Sequence, residues 1–211
     1  MTERPDPRRA YAALTFAALL PALLPSVPFA ADAGVRWVIQ DLQRLPDPEV
    51  LVIAVDHEGN KWFGTREGLT RLNLIGDWET FTVESTRGGL RSNAITALAP
   101  GEGRELWVAT EAGVSVYDNG SWRGYSKENT GSGLPDNFVS SMAILREEKW
   151  FDTRSGFAML RGTTWTTYAG DKISGRMPHR GVTALAVDSA GNKWIGTIGG
   201  LVRFQGSSWT T

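Results

Sequence analysis

Side chains able to do acid–base or metal chemistry are few in this sequence. Its 211 residues hold two histidines, His57 and His179, and no cysteine. The missing thiol removes disulfides, thiolate metal sites and a cysteine nucleophile together. No nucleophile elbow, His-Glu-x-x-His zinc motif or phosphate-cradling P-loop occurs. Two Asp-x-x-Gly-Asn stretches, Asp56–Asn60 and Asp188–Asn192, lack the dense carboxylate set of a calcium loop and read as turns. What remains is a set of arginines with a few acidic and amide groups between strand-like runs: Arg66, Arg87, Arg91, Arg154 and Arg180, with Glu111, Asp136 and Asn137. A guanidinium fork suits carboxylates, sulfates and hydroxyl acceptors. That chemistry is recognition. The expectation is ligand binding without catalysis, with no cofactor and no metal.

The charge balance narrows the ligand. Lys plus Arg number 22 against 23 Asp plus Glu, a net charge of −1. With no basic run, nucleic acid is not an expected partner, because phosphate backbones demand concentrated positive charge. The expected partners are a saccharide or other small polar ligand, or a protein.

The N-terminus reads as a targeting segment. Arg4, Arg8 and Arg9 precede an apolar run from Ala10 to Leu24, followed by Ala31-Asp32-Ala33. This is the layout of a secretory signal peptide, residues 1–33, with cleavage expected after Ala33. The apolar run is shorter than the roughly 20 residues that span a bilayer. A secreted or periplasmic protein follows, with membrane contact only if the segment is retained or a span lies downstream.

The elements that position the arginines follow from tryptophan. Trp62, Trp107, Trp150 and Trp194 are spaced 45, 43 and 44 apart, and Trp78, Trp122, Trp165 and Trp209 are spaced 44, 43 and 44 apart. Trp37 reads as the second Trp of an incomplete preceding unit, an extra outer strand at 37–40. Three residues after each first Trp stands a Thr (Thr65, Thr110, Thr153, Thr197), and six after it a Gly (Gly68, Gly113, Gly156, Gly200). A period near 44 marks a repeat protein. Its units lie near 50–93, 94–137, 138–180 and 181–211 within residues 34–211. Each unit contains four short strand-like stretches bounded by turn residues, the pattern of a β-propeller blade. The fold expected is all-β, with almost no helix. The eight in-register tryptophans are expected to pack between blades, and the repeated Thr to make a structural hydrogen bond.

In an up-and-down blade with strands a to d, the a–b and c–d turns share one face of the disc. The b–c and d–a connections share the other. His57 and His179 fall on opposite faces and cannot form an acid–base pair. The d–a connections, 82–93, 126–137 and 169–180, are much longer than the hairpins opposite and differ in content. Together with the b–c tips they gather the arginine set toward the axis. Long loops on a rigid scaffold are the natural place for a site.

The phrases DHEGNKWFGTREGLTRL and DSAGNKWIGTIGGLVRF resemble the two-component regulator propeller repeat. The stretches Gly89–Asn93 and Ser132–Asn137 look like the segment that precedes strand a in that repeat. The second unit departs with Ala109, and the third with Asp152 and no Asp-x-x-Gly-Asn turn. The resemblance implies an extracytoplasmic sensing or protein-interaction module, the sensor part of a two-component signalling system, and nothing catalytic. The alternatives are a propeller lyase resembling virginiamycin B lyase, or a purely structural interaction propeller. Since Trp37 and Trp209 both offer an outer strand, the four units are expected to belong to a larger propeller. An open row of blades would expose apolar faces at its ends.

Overall fold

The computed structural model describes residues 44–169, 182–205 and 208–211. The expected signal segment, Trp37 with the expected outer strand at 37–40, His179 and Arg180 lie outside them. Sixteen strands follow in chain order: β1 Val52–Val55, β2 Lys61–Gly64, β3 Leu69–Leu72, β4 Trp78–Phe81, β5 Ile95–Pro100, β6 Glu105–Thr110, β7 Gly113–Asp118, β8 Ser121–Tyr125, β9 Val139–Leu145, β10 Glu148–Thr153, β11 Gly156–Arg161, β12 Thr164–Ala169, β13 Val182–Val187, β14 Lys193–Thr197, β15 Gly200–Gln205 and β16 Ser208–Thr210. They form four antiparallel sheets of four, each meandering in sequence order. These are propeller blades, I to IV. The first strands β1, β5, β9 and β13 lie successively side by side. No described helix is long and apolar enough to cross a membrane.

The tryptophan register fixes this architecture because it fills the gaps between sheets. Trp62, Leu69 and Phe81 of blade I bury themselves against Leu106, Val108 and Tyr117 of blade II. Trp107, Val114 and Val116 of blade II meet Met142, Phe151 and Leu160 of blade III. Trp150 and Phe157 of blade III meet Ile195, Val202 and Phe204 of blade IV. Alternation along each strand sends one set of side chains forward and the other back, so both faces of an interior sheet are apolar. Aromatic rings add offset and edge contacts, such as Trp107 on Tyr125 at 5.9 Å and Trp62 on Tyr117 at 5.2 Å.

Small residues let the inner strands approach. A Cβ on Gly64, two after Trp62, would stand 2.6 Å from Ile95 of the next blade. Gly113 closes the b–c turn of blade II with φ of 127°, and a Cβ there would meet the Tyr125 carbonyl oxygen at 2.2 Å. The repeated Gly is therefore dictated by backbone conformation and by crowding.

Candidate functional site

The b–c tips are built by the repeated Thr. Its hydroxyl donates to the carbonyl of the repeated Gly, at 2.9 Å in Thr65–Gly68, 2.8 Å in Thr110–Gly113, 2.6 Å in Thr153–Gly156 and 2.9 Å in Thr197–Gly200. The same oxygen accepts from the backbone N–H of Glu67, Ala112 and Gly199. This local closure holds Arg66, Glu111 and Arg154 at fixed tips.

The two d–a connections among the described residues, 82–93 and 126–137, share one internal skeleton beneath their different sequences. In the first, the Thr86 hydroxyl donates to the Thr82 carbonyl and accepts from the Leu90 N–H, while Asn93 Oδ1 accepts from the Val83 N–H at 2.8 Å. In the second, Thr130 bonds Ser126 and Leu134 in the same way, and Asn137 Oδ1 accepts from the Lys127 N–H at 2.7 Å. Leu90 and Leu134 are fully buried. These loops are rigid struts, and Asn137 is one of the groups that fix them.

Near the inner strands on this face lies a cleft of about 300 Å³ lined by Leu51, Arg66, Ile95, Thr96, Glu111, Phe138 and Ser140. Arg66 and Glu111 reach it from separate blades. The Arg154 guanidinium lies 4.0 Å from the centre of the Phe138 ring, a cation–π contact. Asp136 accepts from the Ser155 hydroxyl at 2.9 Å and from the Phe138 N–H, tying the loop to the blade III tip. Arg66 also pairs loosely with Glu49 at 3.7 Å, both well exposed.

The structure does not bring the whole predicted set together. Arg87 lines a separate cleft with Glu79, Tyr117 and Trp122. The stem of Arg91 packs over Gly113 and Gly124, its N–H donates to the Ser115 hydroxyl at 2.9 Å, and its Nε is buried without a hydrogen-bond partner. Arg91 is therefore packed against the outer strands of blade II. Thr96 and Ser140, absent from the predicted set, are the extra residues at register shifts in blades II and III. Such bulges re-aim side chains near sites. Thr96 donates to the Val139 carbonyl and Ser140 to the Asp152 carboxylate.

The short-turn face is not uniformly shallow. A cleft of about 530 Å³ is lined there by Glu102, Arg146, Glu147, Glu148, Arg161 and Lys193. Its centre is Glu148, which accepts from the Trp150 indole at 2.9 Å, from Arg161, and from Lys193 Nζ at 2.9 Å. Burial pushes the Glu148 carboxyl up, but these hydrogen bonds outweigh it and hold it below the usual range. His57 is exposed on this face, its Nε2 3.0 Å from the Gly101 carbonyl.

The acidic turns have a function the sequence only half discloses. Asp56 accepts from the N–H groups of Glu58 and Asn60, from the Asn60 amide and from the Trp62 indole at 2.8 Å. Asp188 repeats this around Trp194, and the Trp194 and Asn192 side chains bring its pKa down to about 2. Blades II and III lack that Asp. There Glu105 and Glu148, two residues before the Trp, take the indole instead. The signal was available: both units without the turn motif carry Glu at that position.

With this geometry in place, comparison with known proteins gives the fold a setting. No protein-family model and no curated protein matches the sequence. Among solved structures, the chain is similar to the extracellular domain described as a hybrid two component system, BT3049, from B. thetaiotaomicron. The TM-score is 0.62 at 22% identity, over 76% of this chain and 22% of that one. It is also similar to virginiamycin B lyase from Staphylococcus aureus, with a TM-score of 0.60 at 17% identity, over 79% of this chain and 56% of that one. PorZ, a surface component of the type-IX secretion system of Porphyromonas gingivalis, matches with a TM-score of 0.58 at 15% identity, over 78% of this chain and 22% of PorZ. The chain thus spans from about a fifth to just over half the length of these neighbours. At this level of identity the likeness is one of fold: four antiparallel blades of the propeller kind.

Proposed function

We infer that the chain is an extracytoplasmic recognition module, the sensing part of a signalling system, and that it binds a small polar ligand on the long-loop face. An acidic or polyhydroxylated saccharide fits the chemistry. The observation that carries this reading is the cleft beside the inner strands, where Arg66 and Glu111 from neighbouring blades meet Phe138 and the polar side chains of Thr96 and Ser140. Stiff loops hold these groups in place, so a ligand does not have to order them, which favours affinity. The guanidinium supplies paired donors, the carboxylate accepts from hydroxyls, and Phe138 adds apolar contact. Fold likeness to an extracellular domain of a hybrid two-component system supports the placement outside the cytoplasm.

The test is equilibrium binding to an array of acidic and neutral oligosaccharides, with thermal unfolding as a control. Arg66→Ala should weaken binding roughly tenfold or more, the loss of a charge-assisted hydrogen bond of about 2 kcal/mol, without lowering Tm, and Arg154→Ala should weaken it less, since Arg154 borders the cleft only through Phe138. Arg146→Ala, on the short-turn face, should leave binding unchanged. The opposite pattern would move the site to the cleft around Glu148.

A further inference from the structure

The two ends of the blade row carry the unmatched halves of the contact that joins the interior blades. That contact has a fixed grammar. The trailing face of one blade offers the first Trp of its second strand and the apolar residue that follows the repeated Gly. These are Trp62 with Leu69, Trp107 with Val114, and Trp150 with Phe157, each no more than 3% exposed. The leading face of the next blade answers with three positions. Val108, Phe151 or Ile195 fills the middle of the second strand. Tyr117, Leu160 or Phe204 packs from the third strand. The residue before the Trp is Leu106, Lys149 or Lys193. Lys149 Nζ lies 6.0 Å from the centre of Trp107, and Lys193 Nζ lies 4.9 Å from the centre of Trp150. Lys193 also bonds Glu148, the acid that holds the Trp150 indole.

Blade IV presents the trailing half without an answer. Trp194 is only half-buried, Ala184 and Ala186 are exposed, and Leu201, the counterpart of the buried Leu69, is 55% exposed. The acid is in place, since Asp188 holds the Trp194 indole at 2.9 Å. Blade I presents the leading half. Ile53 is 61% and Val55 55% exposed, beside half-buried Phe63 and Leu72. Lys61 occupies the position of Lys149 and Lys193. With Ile53 and Leu201 both open, blades I and IV of one chain do not cover each other.

We propose that blade I of one copy of this chain docks on blade IV of a second copy, head to tail, by the contact already used between its own blades. Lys61 of one copy then meets Trp194 and Asp188 of the other, and Ile53 and Phe63 cover Leu201 and Ala184. The cation and the acid supply the charge complementarity, and the repeat register supplies the shape. The contact is heterologous, and two such joints close a ring of two copies when each row of four blades turns through half a circle. Two sets of four blades make about eight, within the size range of propellers.

The experiment is sedimentation velocity with light scattering on the secreted chain. Wild type should run at twice the monomer mass. Ile53→Asp and Leu201→Asp should each run as monomer. An equimolar mixture of the two variants should recover an assembly of two copies, because the intact trailing face of the first fits the intact leading face of the second. That recovery also shows both variants to be folded. Ile75→Asp, on an exposed c–d turn, should leave wild-type assembly unchanged. A monomeric wild type overturns the proposal, as it would if further blades of a longer polypeptide cover these faces. A Leu201→Asp variant that still doubles its mass overturns it in favour of contact between two blade I faces. A mixture that stays monomeric overturns it as well.

Discussion

Asp152→Asn tests how the inter-blade gap tolerates charge. Asp152 stands two residues after Trp150, where the other blades carry Gly64, Ala109 and Gly196. Its side chain is 2% exposed, Oδ2 accepts from the Ser140 hydroxyl, and Oδ1 has no hydrogen-bond partner. Burial pushes its pKa from 3.8 to about 6, against the opposing Ser140 and Thr153 hydrogen bonds. A carboxyl whose folded pKa exceeds its unfolded one makes the native state hold the extra proton. Stability is then full below the unfolded value, falls as pH rises, and reaches its floor above the folded value. A shift of about two pKa units corresponds to about 3 kcal/mol. Asparagine copies the protonated acid in shape and still accepts from Ser140, so it escapes that loss. Urea unfolding followed by tryptophan fluorescence should show the two proteins equally stable near pH 4 and the variant ahead by up to about 3 kcal/mol near pH 7.5. Parallel stability curves across this window, or a wild type that gains on the variant as pH rises, would refute the reasoning.

Two further outcomes follow from the tryptophan positions. Trp62→Ala removes a ring that is 1% exposed and should cost about 3–5 kcal/mol in chemical denaturation, whereas Trp194→Ala, half-buried at the row's end, should cost clearly less. Equal losses would mean that the trailing face of blade IV is covered in solution, as assembly predicts, so the pair is measured on the Ile53→Asp monomer. Asp188 titrates at about 2 because the Trp194 indole and the Asn192 amide donate to it. Its stabilisation of the turn is present above the ordinary value of 3.8 and is lost as pH falls through about 2. The Trp194 indole N–H resonance should report that midpoint, and a midpoint near 4 would contradict the hydrogen bond.

Much of the fold was legible because tryptophan, threonine and glycine recur at positions where geometry leaves little choice. Gly113 must have positive φ, Thr110 must close the tip, and Trp107 must fill the gap to Phe151. The candidate site was less legible, since repetition reports scaffold and says little about what the scaffold displays. The loops 82–93 and 126–137 read as different in content, yet Thr86 and Asn93 do the same work as Thr130 and Asn137. Asn137 therefore fixes a loop where its position invited a ligand. The place of Arg91 in such a loop points toward the axis, but its Ser115 contact holds it against the outer strands of blade II. Thr96 and Ser140 were hidden because a bulge changes where a residue points without changing the composition around it.

The Trp-to-acid pairing inside each blade, and the packing of each Trp on the blade that follows, make this chain energetically one-dimensional. Blades II and III each take part in two joints, while I and IV each take part in one. In such an array stability is a sum of unit and nearest-neighbour terms, and loss of order travels inward from the free ends. In the Ile53→Asp monomer, backbone amides of β6, β7, β10 and β11 should then exchange with solvent last, and those of β1 and β16 first. Closing the row against a second copy would abolish the ends and turn a graded melt into a single cooperative one.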